Sequence, residues 1–488
     1  MLRTEPRDDP TYETKSDEAG SLTGRFATFV ARTVVLDTVI VTTLFVLACW
    51  QYLPLVNDTP FHRDEARWVH RASYVRELAH PFGAYWDEVT WIERGGSLDE
   101  QYRLRAQPPL GSYLMGLGLL LQGRDLDVNG FWNMDRDERW NVSQGNMPHA
   151  ADLTAAHRTT AIVTALTVVV VFALGRRLTN RVGGVTAALF LLFHPLVNLY
   201  AAFAGSDMLL VFLVALAAMA AYRLADRPSW PRALLLGVVL GLGAAAKLSP
   251  LGVTIPLALL GGAVVARHYL EDRVSGTLSG TSREAGYPAR SAVRFRWFLA
   301  FVTARSSATF GWQLVSLPLV ALATLVATYP YLWRAPFDHT LAMFEFRTAG
   351  MDLQARLWPH IAVASPFDAL RRVGLRLGEE FTILGRLGAG WEVPTLELGV
   401  AAVGLLVLLF LVARHGLTSG HGLALVVLGG QSAITVIGMD ADWARYHLPI
   451  LLFVAICIGV VIGQGWTVAR RALPVARPFL SRSVPENR

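Results

Sequence analysis

An all-α protein that crosses a membrane many times is the fold class to which this chain points. The first reason is composition: of 488 residues, 53% are hydrophobic and only 17% charged, less charge than a soluble protein of this length carries. The second is that apolar runs approach or reach the ~20 residues that cover a bilayer core. The third is where the arginines fall, because they sort to one side of those runs as cytoplasmic loops require.

Residues 1–24 are polar and charged and read as a disordered tail. The first apolar run, Thr33 to Val56, is too long for a signal peptide and lacks a small-residue cleavage site. Further runs lie at Ala156–Leu174, Val182–Phe203, Met208–Leu224, Ala233–Ala246, Leu251–Ala266, Leu314–Leu332, Leu396–Ala413, Gly422–Gly438 and Leu448–Gly465, giving roughly ten spanning helices. Leu110–Leu121 is apolar but too short to cross, and is expected as an interfacial helix on the outer leaflet. With it outside, Arg25, Arg32, Arg176, Arg177, Arg181, the loop Arg223–Arg232, the loop of residues 267–305, Arg414 and the tail of residues 467–488 fall on one side. Both termini are then cytoplasmic in a plasma membrane, with outer loops at 57–155 and 334–395 and the membrane domain at 25–466. The stretch Ser275–Ser282 reads as a flexible linker, and Val293–Ala304 as an amphipathic helix on the inner surface.

The net charge of +6 suits arginines against anionic lipid. No basic stripe interleaved with stacking aromatics points to nucleic acid. Cys49 and Cys457 both lie in apolar runs, which argues against a disulfide framework or a cysteine metal site. The twelve histidines show no paired ligand spacing; His62, His149, His157 and His447 are the candidates on the outer side, and a divalent cation is left open.

Ionisable residues at the membrane boundary are the informative ones, because burial there is costly. Asp64 and Glu65 follow the first span, flanked by Arg63 and Arg67, and on a helix Asp64, Arg67 and Arg71 share a face. A solvated carboxylate paired with Arg67 or Arg71 is the bland alternative. Asp207 sits in the tight turn Gly205-Ser206-Asp207, where N-cap of the next helix is its ordinary role. Lys247, one of two lysines in the chain, falls between two short apolar runs; it is either a snorkelling side chain or part of an anion site. Arg445 stands at the start of the last span, where a cation is unfavourable unless it meets an anion or a carboxylate. A sugar donor on a polyprenyl phosphate needs such cations at its phosphate, and the acceptor hydroxyl needs a carboxylate base.

The order of these elements is similar to that of a known family. Asp64-Glu65-Ala66-Arg67 resembles the acidic first-loop motif of the protein O-mannosyltransferases and the lipid A aminoarabinose transferases. Gln107-Pro108-Pro109-Leu110-Gly111 resembles their His/Lys-Pro-Pro-Leu-Gly element, with Gln107 in place of the basic residue. Val171–Leu178, Asp207, Ala246-Lys247 and Arg445-Tyr446-His447-Leu448-Pro449 resemble later motifs in the same order. The resemblance implies a GT-C fold and transfer of a mannose-like or other hexose or pentose, from a polyprenyl-phosphate donor to a hydroxyl on protein, lipid or glycan. With no large domain read after the last span, no counterpart of the MIR-type domain of eukaryotic mannosyltransferases is expected. The expected roles are Asp64 as general base with inversion, Glu65 in orienting contacts and Asp207 as partner to the acceptor or a metal. Arg445 and Lys247 are expected to hold the donor phosphate, Arg103 or Arg105 to stand in for the basic residue missing at Gln107, and Gln107, Pro108, Pro109 and Tyr446 to line the substrate. A transporter or flippase of lipid-linked sugars is the competing class; it calls for ionisable groups at mid-bilayer and internal repeats, and neither is evident.

Overall fold

The computed structural model describes residues 13–86, 105–134, 136–278, 307–383 and 396–480. Among the described residues eight helices are long and apolar enough to cross a membrane: Val34–Asp58, Ala150–Leu178, Asp207–Asp226, Ser249–Glu271, Ala308–Thr328, Leu396–His415, Gly420–Ile437 and Ala444–Ala472. The all-α membrane architecture holds. Two other runs expected to span form shorter helices, Arg181–Phe193 and Trp230–Ala246. The first of these stops where His194-Pro195 interrupts it and opens the helix Pro195–Tyr200, since proline cannot continue the preceding ladder.

Two stretches read as unstructured are helical at least in part. The first helix, α1, runs Glu13–Asp58, so half of the supposed tail is an extension of the span. The helix Ser249–Leu278 takes in Ser275–Leu278, the start of the supposed linker, and the last helix continues from Leu448 to Leu480. Once a long span has nucleated a helix, each added residue gains a hydrogen bond without paying for a new nucleus. The expected inner-surface helix Val293–Ala304 lies outside the described residues.

The most enclosed helix of the bundle is α2, Asp207–Asp226. Around it pack Ala150–Leu178, Trp230–Ala246 and Gly420–Ile437. With lipid as solvent, such packing depends on close backbone approach at small residues. A Cβ added at Gly183 would stand 2.5 Å from the Gly459 carbonyl oxygen, which fixes Arg181–Phe193 against the last helix. The threonines buried within Ala150–Leu178 return their hydroxyls to the carbonyls four residues back, Thr164 to Thr160 at 2.9 Å, so that no polar group there lacks a partner. At one end of the bundle Asp37 of α1 binds both Arg176 and Arg181, which ties α1 to the turn between the next two helices.

At the other end lie the short helix α3, Arg63–His70, and α4, Leu110–Leu121, whose bounds match the expected interfacial helix. Two further helices follow the span Ala308–Thr328: α5, Pro336–Leu357, which packs on Pro330–Leu332, and α6, Pro366–Leu375, which packs on Gly420–Ile437. An antiparallel bridge between Ala362 and Ala441 joins the segment after α5 to the loop before the last helix.

Candidate active site

The residues expected to act meet at the α3 end of the bundle. Helix α3 opens with a reciprocal cap: the Asp64 amide donates to His62 Nδ1 at 3.2 Å, and the His62 amide donates to Glu65 Oε2 at 2.8 Å. Glu65 is fully buried. Its other oxygen, Oε1, lies 2.7 Å from His157 Nε2 and accepts from the Ala204 amide at 2.8 Å. One carboxylate thus joins α3, the helix Ala150–Leu178 and the loop before α2, and both of its oxygens are engaged. Glu65 is part of the frame.

Asp64, one residue earlier, turns the other way. Arg445 Nη1 donates to its Oδ2 at 2.7 Å, with the two side chains 17% and 27% exposed. Neither Arg67 nor Arg71 holds it. The Arg67 guanidinium reaches the Trp132 carbonyl at 3.2 Å, and Arg71 is buried with its guanidinium over the Trp68 ring. Burial pushes the Asp64 carboxyl up, but Arg445, His62 and Arg67 together outweigh it and hold the group below the usual carboxylate range.

Asp207 is the first residue of α2, with Ser206 at the cap position. Asp207 is therefore not the N-cap, Ser206 makes no side-chain capping bond, and the Asp207 carboxylate pairs with Lys247. Lys247 ends the helix Trp230–Ala246 in extended backbone, which swings its side chain back across α2. The two ion pairs share a neighbour. Lys247 Nζ stands 5.3 Å from the centre of the Tyr446 ring, the Arg445 guanidinium 5.8 Å and that of Arg347 from α5 5.2 Å. Three cations thus surround one phenol ring, and two of them face carboxylates. Arg347 was not singled out in the sequence. It lies in a helix of mixed polarity that also carries Arg356, and only its placement over Tyr446 distinguishes it.

The Pro-Pro element is placed beside this cluster. Pro109 starts α4, and a Cβ at Gly111 would stand 2.7 Å from the Trp68 ring and 3.0 Å from Ser206 Cβ, so only glycine lets α4 meet α3 and the turn before Asp207. Gln107 and Pro108 are half-buried at its entrance. Arg105 is buried, donates to the Tyr85 carbonyl and has its own carbonyl bonded by the Tyr329 hydroxyl at 2.8 Å. It is thus committed to the aromatic packing of Tyr74, Tyr85 and Tyr329, and the expectation that it meets donor phosphate is not what the geometry favours. Arg103 lies outside the described residues.

The loop carrying Arg445 is anchored by Asp442. His447 Nε2 lies 2.8 Å from its Oδ1, while Arg376 and Arg372 reach it at 3.2 and 3.4 Å. Burial raises the Asp442 carboxyl; His447 and Arg376 prevail and hold it at about 2. No group of three His, Cys, Asp or Glu able to hold a metal ion occurs among the described residues. Of the candidate ligands His157 is occupied by Glu65 and His447 by Asp442.

Comparison with known proteins bears on one part of the chain. Residues 150–277 match the model of the dolichyl-phosphate-mannose-protein mannosyltransferase family. That segment contains Asp207 and Lys247, and it is the part of the chain in which the resemblance seen in the motifs is independently met. Asp64 and Arg445 lie on either side of it. No curated protein matches the sequence. Among solved structures, the chain is similar to the oligosaccharyltransferase of Archaeoglobus fulgidus in complex with zinc and sulfate, at 13% identity and a TM-score of 0.45, covering 90% of this chain and 50% of that one. The archaeal oligosaccharyltransferase AglB from Archaeoglobus fulgidus, in complex with an inhibitory peptide and a dolichol-phosphate, gives 12% identity and a TM-score of 0.45, covering 93% of this chain and 52% of that one. The chain spans about half the length of these structures.

Proposed function

We propose that this chain is a membrane glycosyltransferase that moves a sugar from a polyprenyl-phosphate donor to a hydroxyl acceptor at the outer face of the membrane, with inversion. The observation that carries the reading is the paired arrangement at Tyr446, at the edge of the bundle: Asp64 against Arg445, both partly exposed, and the buried Asp207 against the partly exposed Lys247. The family match over residues 150–277 supports the same donor class, and the arginine asymmetry supports cytoplasmic termini with the site outside.

The donor phosphate is an anion that competes with the two carboxylates for Arg445 and Lys247. In the transfer the acceptor oxygen attacks the anomeric carbon as the bond from that carbon to the phosphate oxygen breaks. The electron pair leaves with the polyprenyl phosphate, and the hydroxyl proton passes to Asp64. While Arg445 faces Asp64 the carboxylate stays ionised and ready to accept. As charge grows on the leaving phosphate, Arg445 is drawn toward it and the basicity of Asp64 rises when the proton arrives. A lipid phosphate is a good leaving group, so a covalent enzyme intermediate is unnecessary.

Asp64→Asn keeps the shape and removes the base. Transfer from a radiolabelled polyprenyl-phosphate sugar to membrane acceptors should fall by about 10²–10⁴, with the protein folded and donor still bound. Near-normal turnover, or a product that retains the donor's anomeric configuration, would overturn the assignment.

A further inference from the structure

Beside the start of α3 opens a groove of about 310 Å³, lined among others by His62, Arg63, Trp132, Arg136, Asp137 and Glu138. Its size is at the lower end of the roughly 300–1,000 Å³ range of small-molecule sites. We propose that it is the acceptor subsite, and that the acceptor it holds is a neutral glycan. This rests on the glycosyltransferase reading above and adds to it the class of the second substrate.

Position is the first argument. His62 lines the groove, and its Nδ1 stands 3.7 Å from Asp64 Oδ2. A molecule seated there is one imidazole away from the proposed base. Arg63, also lining it, is held over the Trp358 ring; Trp358 packs against Trp443, and Arg445 lies over Trp443. The groove and the proposed phosphate clamp are thus linked through the Trp358 and Trp443 rings.

Chemistry is the second argument. Arg63 and Arg136 are balanced by Asp137 and Glu138, so the groove has no excess of fixed charge with which to draw a phosphate or a polycation. A lipid headgroup site would require a surplus of cations, and a lipid tail an apolar wall. Instead, planar guanidinium and carboxylate groups ring a small aromatic floor in which Phe61 meets Trp132 at 5.2 Å between ring centres. Guanidinium and carboxylate groups offer paired donors and paired acceptors in one plane, the pattern that adjacent sugar hydroxyls satisfy. The apolar floor matches the C–H face of a pyranose or furanose ring.

The test uses full-length protein in lipid nanodiscs, with mannotriose as the neutral saccharide probe and a Ser/Thr-rich peptide as the rival. Saturation-transfer NMR should detect mannotriose on the wild type and equally on Asp64→Asn. Arg136→Ala with Glu138→Gln should weaken it at least about tenfold through lost charge-assisted hydrogen bonds. Both positions are exposed, so the fold is retained, and circular dichroism checks it. Polyprenyl phosphate binding, measured on the same samples, should be unchanged by that pair. Mannotriose that fails to bind the wild type, that binds regardless of the pair, or that is replaced by the peptide at the same residues overturns the groove. If mannotriose behaves as expected while polyprenyl phosphate does not bind at all, the groove stands and the transferase reading falls. If polyprenyl phosphate binds and mannotriose does not, the groove alone falls.

Discussion

Asp64 and Glu65 are neighbours in sequence with the same chemistry, and the molecule uses them in opposite ways. Glu65 is enclosed, and His157 and two backbone amides satisfy its oxygens. Asp64 is about a quarter exposed and has one cation, itself reachable from the bundle edge. A buried carboxylate whose bonds are complete can be exchanged for nothing, because any new partner would first have to break the frame. A partly solvated ion pair is worth little to stability, so its partner can be surrendered to a substrate. Asp207 and Asp442 are each only 6% exposed, so by enclosure it is Asp64 that stands apart from the other three carboxylates.

The comparison breaks most visibly at Glu65. Glu65→Ala leaves His157 and the Ala204 amide buried without their acceptor, and should destabilise the protein by about 3–5 kcal/mol. Thermal denaturation in detergent would show it, and an unchanged midpoint would mean that Glu65 does not hold the frame. On the other side of the contrast, Arg445→Ala should leave the midpoint nearly unaltered. It should weaken polyprenyl phosphate binding by about 1–3 kcal/mol through the lost charge-assisted bonds. Equal donor affinity in a folded Arg445→Ala protein would remove Arg445 from the clamp.

A smaller and more local effect is expected at Asp442. Its carboxyl is held at about 2 in the folded chain, below the ~3.9 of an unfolded aspartate. The folded state therefore gains stability from it above about pH 4, and that gain is lost as the pH falls toward 2. Hydrogen exchange across residues 439–447 should quicken over that interval while α2 stays protected, and Asp442→Asn should abolish the pH dependence. If exchange there does not respond to acid, Asp442 is not the anchor of the Arg445 loop.

Much of the fold was legible because its signals are local. A run of apolar residues makes a span wherever it sits, and Leu110–Leu121 appeared with the expected bounds. Local reading failed at helix ends. Glu13–Gly24 and Ser275–Leu278 are polar enough to look like tail and linker, yet each is carried on by the span it adjoins. The site was partly legible. Asp64, Asp207, Lys247 and Arg445 stood out because charge at a membrane boundary is costly, whereas Arg347 and the groove residues lie in stretches where charge is ordinary.

The chain by itself determined that the protein is helical and crosses a membrane, because hydropathy and helical period are properties of twenty residues or fewer. It also determined which ionisable groups stand at the ends of the spans. Which of them meet was decided only by the tertiary structure. Asp64 and Arg445 are 381 residues apart, and either could have paired with a nearer partner. Packing brought them together, after glycines at Gly111 and Gly183 let backbones approach and a buried Glu65 fixed the turn of α3. An ion pair reports the distance between two surfaces, and that distance is set by every side chain packed between them.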